Sequence, residues 1–163
     1  PKPRLEIGED VVTSYLLSRG IRRVDVIVNT HQHEDHSGGL PALLDNFKPA
    51  ELWVGGTPDS PAWDVLRQAA ARNDVRIRHL RRGADAFLGS LPIEVLGPAP
   101  GYEPRRTPHN DDSLVLRLQH GRHRFLLTGD LERNGELALA PDRLRADVLK
   151  VGHHGSKTST TPG

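Results

Sequence analysis

The feature that most constrains the fold is the run Val24-Asp25-Val26-Ile27-Val28, which breaks directly into a polar stretch at residues 30–39. A β-branched, nearly all-apolar run of this length predicts a strand covered on both faces, as in a sheet packed between layers. Strands of that kind need helices or a second sheet on either side. The pattern around it supplies both. Residues 9–19 predict a helix, with Val11, Val12, Tyr15, Leu16 and Arg19 at helical spacing and Gly20 as its cap. Residues 40–47 predict a short helix, 51–54 a strand, and Ser60-Pro61 opens a helix to about Arg72, followed by a strand over 75–80.

The second half is richer in strand. Short strands are predicted at 86–88 and 93–96 around Gly89-Ser90, then a Pro/Gly-rich surface loop over 97–108. Leu114, Leu116 and Leu118 alternate onto one face, and His120-Gly121 turns the chain into a strand over 124–128. A polar helix over 131–139 and a buried strand over 146–151 complete the series. The order predicts an α/β sandwich. At 163 residues the chain suits one domain, residues 1–163, able to bury a core without disulfides.

Composition removes several chemistries. There are no Cys, hence no thiolate zinc site and no Cys nucleophile. Lys+Arg 22 against Asp+Glu 21 gives +1, too small a field to argue for nucleic acid or membrane by itself. No apolar run approaches the roughly 18 residues of a membrane span. The absence of Met, even at position 1, predicts a soluble piece of a longer chain. The nine His are the informative excess, and five lie in two short stretches, His31, His33 and His36, then His153 and His154.

In an extended segment His31, His33 and Asp35 point to one side, while His36 turns in at the start of the next element. Imidazoles with a carboxylate suit divalent transition metals. Dividing them, His31 and His33 to one ion and Asp35 and His36 to a second, predicts a two-metal site. Thr128-Gly129-Asp130 places a further carboxylate at a strand end, suited to bridging. Gly152-His153-His154-Gly155-Ser156-Lys157 follows another strand with two His, a hydroxyl and an ammonium, a set suited to metal or phosphate. His109, Asn110 or Asp111 is the expected completion of the first metal's shell. The His31, Asp130 and His153 stretches each carry ligands at the C-terminal end of a buried strand, where open α/β sheets place their sites. His79, His120 and His123 stand singly and read as structural, and Glu34 as solvated.

The motif His31-x-His33-x-Asp35-His36-x-Gly38-Gly39 with a later Thr-Gly-Asp resembles the metallo-β-lactamase superfamily, an αββα sandwich with a dinuclear metal site. Asn110-Asp111-Asp112-Ser113-Leu114-Val115-Leu116 and Leu149-Lys150-Val151-Gly152-His153-His154-Gly155-Ser156-Lys157-Thr158-Ser159 narrow the resemblance to the C-terminal β-lactamase-like domain of ComEC-type DNA internalisation (competence) proteins. The resemblance implies a metal-dependent nuclease, with two divalent ions, Mn or Zn, that hydrolyses the non-imported strand during natural transformation. Its substrate would be single-stranded DNA, and it would be attached to the membrane channel portion of the same polypeptide, on the extracytoplasmic face of a bacterial plasma membrane. His31, His33, Asp35, His36 and Asp130 would be metal ligands, with His153 and His154 lining the cleft and His109 or Asn110 standing where many relatives carry another ligand His. Asp35 and Asp130 would position the nucleophile, and His154 or Lys157 would stabilise charge or protonate the leaving oxygen. Arg105, Arg106 and Ser156 are the expected DNA contacts. Relatives carry further edge strands before and after this region and a Gly-His-Pro ligand, so the sandwich is expected to lack edge strands at both ends. Competing expectations are a small-molecule hydrolase of the same superfamily, acting on a phosphoester, thioester or lactam, and a non-catalytic module of a DNA transporter.

Overall fold

The computed structural model describes residues 5–161. The chain enters through a π-helical segment, Ile7–Thr13, that continues as α1 (Ser14–Ser18). β1 (Val26–Asn29) leads into α2 (Glu34–Ser37) and α3 (Leu40–Phe47), followed by β2 (Glu51–Val54), α4 (Pro61–Arg72) and β3 (Arg76–His79). The three strands form a parallel sheet in the order β1-β2-β3. The local chemistry of α4 explains its start: Ser60 Oγ accepts from Trp63 N at 3.1 Å, with Pro61 at the first helical position. Its face of Trp63, Leu66, Ala69 and Ala70 is buried against Ile27, Leu52 and Val54 of the sheet.

The other face of that sheet meets a second one. β4 (Asp85–Leu88), β5 (Leu91–Gly97), β6 (Val115–His120), β7 (His123–Leu127) and β8 (Val148–Lys150) lie in sequence order, antiparallel except for the parallel pair β7–β8. Trp53, fully buried, packs between the sheets with Leu80, Ile93, Val95, Leu114 and Leu116. Burying one such large side chain stabilises the fold by about 2–3 kcal/mol. α5 (Arg133–Leu137) crosses the outer face of the second sheet, where Leu131 and Leu139 pack on Leu96, Val115 and Leu126. The order helix, sheet, sheet, helix is the expected α/β sandwich.

Three expectations change in detail. The first helix begins earlier than residue 9, and Val11 and Tyr15 on its supposed apolar face are 45% and 60% exposed. It is held instead through Gly8, where a Cβ would lie 2.0 Å from the Gly39 carbonyl oxygen. The helix expected over 131–139 shrinks to α5, because Leu131 and Leu139 at its ends turn inward as core. β8 is three residues long and exposed, with Val148 and Leu149 at 48% and 45%, because among the described residues β7 is its sole sheet neighbour.

The topology fixes where chemistry can gather. β7 and β8 end where antiparallel β6 begins. The bond from Leu114 N to Thr30 O, 2.9 Å, joins the start of β6 to the end of β1. The loops after β1, β7 and β8 and the segment before β6 therefore share one rim.

Candidate metal centre

Past β1 the chain bends at His31, and His33, itself extended (φ −71°, ψ 148°), is the N-cap of α2. Asp35 therefore sits in the first turn of a helix, not in the extended segment anticipated for it. Glu34 and Asp35 are acidic residues at a helix N-terminus, where the helix dipole favours them. The turn into α2 brings Asp35 and His36 together, facing the loops of the second sheet.

Asp35, His36, Asp130 and His154 converge so that one ligand atom from each lies within 4.8 Å of the others. His36 Nε2 is 3.1 Å and His154 Nε2 3.2 Å from Asp130 Oδ2, while Asp35 Oδ2 is 3.6 Å and 3.3 Å from the same two nitrogens. His31 and His33 form an adjoining pair, with His31 Nε2 and His33 Nδ1 3.1 Å apart and the His31 ring centroid 4.3 Å from that of His36. The four-donor group thus draws on three loops. Two imidazoles and two carboxylates at this spacing fit a divalent transition metal.

Asp130 is almost wholly buried, and its Oδ1 accepts from Lys150 Nζ at 3.1 Å, which also donates to Gly129 O at 2.7 Å. Burial raises the Asp130 carboxyl, but the Lys150 hydrogen bond and the nearby His36 and Lys150 charges outweigh it and hold it below the usual carboxylate range. Asp35 is also held low: its slight burial is outweighed by its backbone hydrogen bond and by His36 and His154. Burial, reinforced by His36 and His33, lowers His31 to about 3 and keeps its ring neutral at physiological pH. Neutral imidazoles beside ionised carboxylates are the protonation states that ligate metals.

The segment before β6 braces this centre. Asn110 Nδ2 donates to Glu132 Oε1 at 3.0 Å, and Glu132 Oε1 lies 3.2 Å from His153 Nδ1. Asp111 Oδ1 accepts from Glu132 N at 3.0 Å. Asp112, fully buried, accepts from Tyr102 OH at 2.7 Å and from His109 N at 2.8 Å. Ser113 Oγ accepts from Asp130 N at 3.1 Å and lies 3.4 Å from His31 Nδ1. His109 caps the turn that follows it, its Nδ1 accepting from Asp111 N at 3.2 Å. His153 and His154 both have left-handed backbones (φ 43° and 52°), and Ser159 Oγ, donating to Gly152 O at 2.8 Å, clamps their turn. That turn sends His154 to the Asp130 group and His153 to Glu132.

Of the other anticipated residues, Lys157 is exposed in the following turn, and Ser156 bonds within that turn to Thr158 at 3.1 Å. Arg105 and Arg106 are exposed on the 97–108 loop, whose end is tied to the centre by His33 Nε2 and Pro108 O at 3.2 Å. His79 packs edge-on to Trp63 at 5.7 Å, and His120 and His123 pair across the β6–β7 hairpin. Lys150 and Glu132 are the site residues that sequence reasoning passed over. Lys150 was hidden in an otherwise apolar strand, where a lone charge next to a ligand loop is the signal that could have found it.

A profile described as the Metallo-beta-lactamase superfamily matches residues 2–162. The chain belongs to the metallo-beta-lactamase superfamily. Within this superfamily it is 37% identical over 158 residues to ComE operon protein 3 of Bacillus subtilis (strain 168), covering 94% of this chain and 20% of that protein. It is 32% identical over 151 residues to Competence protein ComA of Neisseria gonorrhoeae (90% of this chain, 19% of that protein). It is 29% identical over 155 residues to Recombination protein 2 of Haemophilus influenzae (95% and 18%). The chain thus spans about a fifth of the length of the curated relatives it matches. These relatives agree with the ComEC-type resemblance of the Asn110 and double-His motifs. Among the described residues no helix is long and apolar enough to cross a membrane.

Proposed function

We propose that this metallo-beta-lactamase domain is a metal-dependent hydrolase of DNA phosphodiesters, degrading the non-imported strand during natural transformation. The observation that carries the reading is the convergence of Asp35, His36, Asp130 and His154, in a chain similar to competence proteins along most of its length. Those four residues would hold one divalent ion, manganese or zinc, and His31 with His33 offers nitrogens for a second. When bound, such ions supply Lewis-acid polarisation of the phosphodiester and make water nucleophilic near neutral pH.

The chain's own groups do the rest. Lys150 orients the Asp130 carboxylate and adds a positive charge beside the negative phosphate. With His154 holding the ion, Lys157, exposed in the turn that follows, would stabilise charge on the phosphate or donate a proton to a leaving oxygen. Ser156 beside it, and Arg105 and Arg106 on the loop tied to His33, would contact backbone phosphates. With aromatic residues at 4%, binding relies on the backbone more than on base stacking. The domain would be joined to a membrane channel in the same polypeptide, on the extracytoplasmic side, and act on single-stranded DNA there.

The test is to incubate the protein with end-labelled single-stranded DNA and Mn²⁺ or Zn²⁺, beside an Asp35→Asn variant and an EDTA control. Cleavage should require the metal and Asp35. Cleavage that survives either removal overturns the proposal. Turnover of small phosphodiesters or thioesters without DNA cleavage would assign the centre to a small-molecule hydrolase instead.

A further inference from the structure

We propose that Ser113 is a positioning residue for the metal centre, its buried hydroxyl locking the Asp130 loop to His31 and fixing which nitrogen His31 turns toward the site. The inference rests on the metal-centre reading above. Ser113 is fully buried and carries no ligand atom, yet it stands between two of the ligand-bearing loops. Its Oγ accepts the Asp130 N–H at 3.1 Å, which sets the backbone from which that carboxylate projects. The contact is close enough to exclude a side chain at Gly129, where a Cβ would lie 2.7 Å from Ser113 Oγ and 3.0 Å from Thr30 Cβ.

The same oxygen lies 3.4 Å from His31 Nδ1, and Thr30 Oγ1 lies 3.1 Å from it on the same side. A neutral imidazole carries a single N–H, and whichever nitrogen bears it cannot ligate a metal. The assigned tautomer carries its proton at Nδ1, where either hydroxyl oxygen can accept it. This leaves the Nε2 lone pair, on the side of His33, free for a ligand role. One hydroxyl therefore aligns two first-motif and second-motif donors at once. Thr30 supports the ring alone, whereas Ser113 couples the ring to Asp130.

The test uses the 163-residue chain as wild type, Ser113→Ala and Ser60→Ala. Each is titrated with Co²⁺ against a chromophoric chelator, and ¹H–¹⁵N spectra of the histidine rings are recorded on metal-free protein. Ser113→Ala should bind Co²⁺ roughly ten- to a hundredfold more weakly, with an altered visible spectrum. Ser60→Ala removes the 3.1 Å cap bond to Trp63 N at the start of α4, loosens the fold without touching the metal centre, and should bind as wild type does. Wild-type affinity and spectrum in Ser113→Ala overturn the proposal, as does an equal loss in Ser60→Ala, which would signal general loosening. The metal-free wild type should show His31 protonated at Nδ1, and a ring protonated at Nε2 overturns the proposal whatever the variants do. A wild type that takes up no Co²⁺ would instead overturn the metal-centre reading, while the ring spectra still decide the Ser113 contact.

Discussion

Replacing Gly129 by Ala tests whether the close approach of the loops at the metal centre is real. Gly129 has φ +58°, and Gly121, in the exposed β6–β7 turn, has φ +60°. An Ala at either position meets the same left-handed backbone cost, about 1–2 kcal/mol. Both also gain about 0.4–1 kcal/mol from a less flexible unfolded chain. The sites differ in what surrounds the new methyl. At Gly121 nothing lies within 4 Å, whereas at Gly129 it would meet Ser113 Oγ at 2.7 Å, Ser113 Cβ at 2.9 Å and Thr30 Cβ at 3.0 Å. Ser113 is fully buried and bonded on two sides, so it cannot swing away, and overpacking of this kind costs about 1–3 kcal/mol. Gly121→Ala should therefore lose about 0.5–1 kcal/mol and Gly129→Ala about 2–4 kcal/mol. Urea unfolding in EDTA, followed by fluorescence of the buried Trp53 and Trp63, reads both. Equal losses in the two variants would refute the packing argument.

Two further predictions concern charge. Burial raises Glu51, but hydrogen bonds from Arg76, Trp53 and Arg78 outweigh it and bring it to about 2. The folded value lies below the unfolded one, so its stabilisation is present above about pH 4.5 and is lost as pH falls toward 2. Discounted for the solvent around Arg76, it is worth about 1–2 kcal/mol, and by urea unfolding Glu51→Gln should lose that amount at pH 7 and only a small part of it at pH 2.5. Lys150→Met removes the ammonium on Asp130 Oδ1. In EDTA-treated protein, the Asp130 carboxyl should then titrate at higher pH by ¹³C NMR. An unchanged midpoint would show that Lys150 does not govern Asp130.

Much of this architecture was legible because the strands and their loops carry strong local signals. The double-faced apolar run at β1, the Ser60-Pro61 start of α4 and the Gly89-Ser90 and His120-Gly121 turns all appear where pattern and turn chemistry place them. The loops with His31, His33, Asp35, His36, Asp130, His153 and His154 do reach one rim, since each ends a strand of the sandwich. What stayed hidden depends on tertiary approach. The pairing of Glu132 with His153, and the splitting of the double His toward two different acids, follow from a left-handed turn that spacing does not encode. Lys157, beside the double His, is the ammonium that the sequence pattern singles out. Lys150 comes from β8, parallel and adjacent to the strand that ends at Gly129-Asp130, and so it alone reaches the carboxylate. Asp35 was expected on an extended chain because the alternation of His31 and His33 extends to it. The acidic pair Glu34-Asp35 after His33 was the signal of the helix that begins there.

If Asp35, His36, Asp130 and His154 together bind a divalent ion, anomalous diffraction from crystals grown with Mn²⁺ will show it. A peak should lie enclosed by these four side chains and be absent from Asp130→Ala crystals grown identically. Density at saturating Mn²⁺ that shows these four side chains bonded only to one another, or a peak elsewhere on the molecule alone, would contradict it.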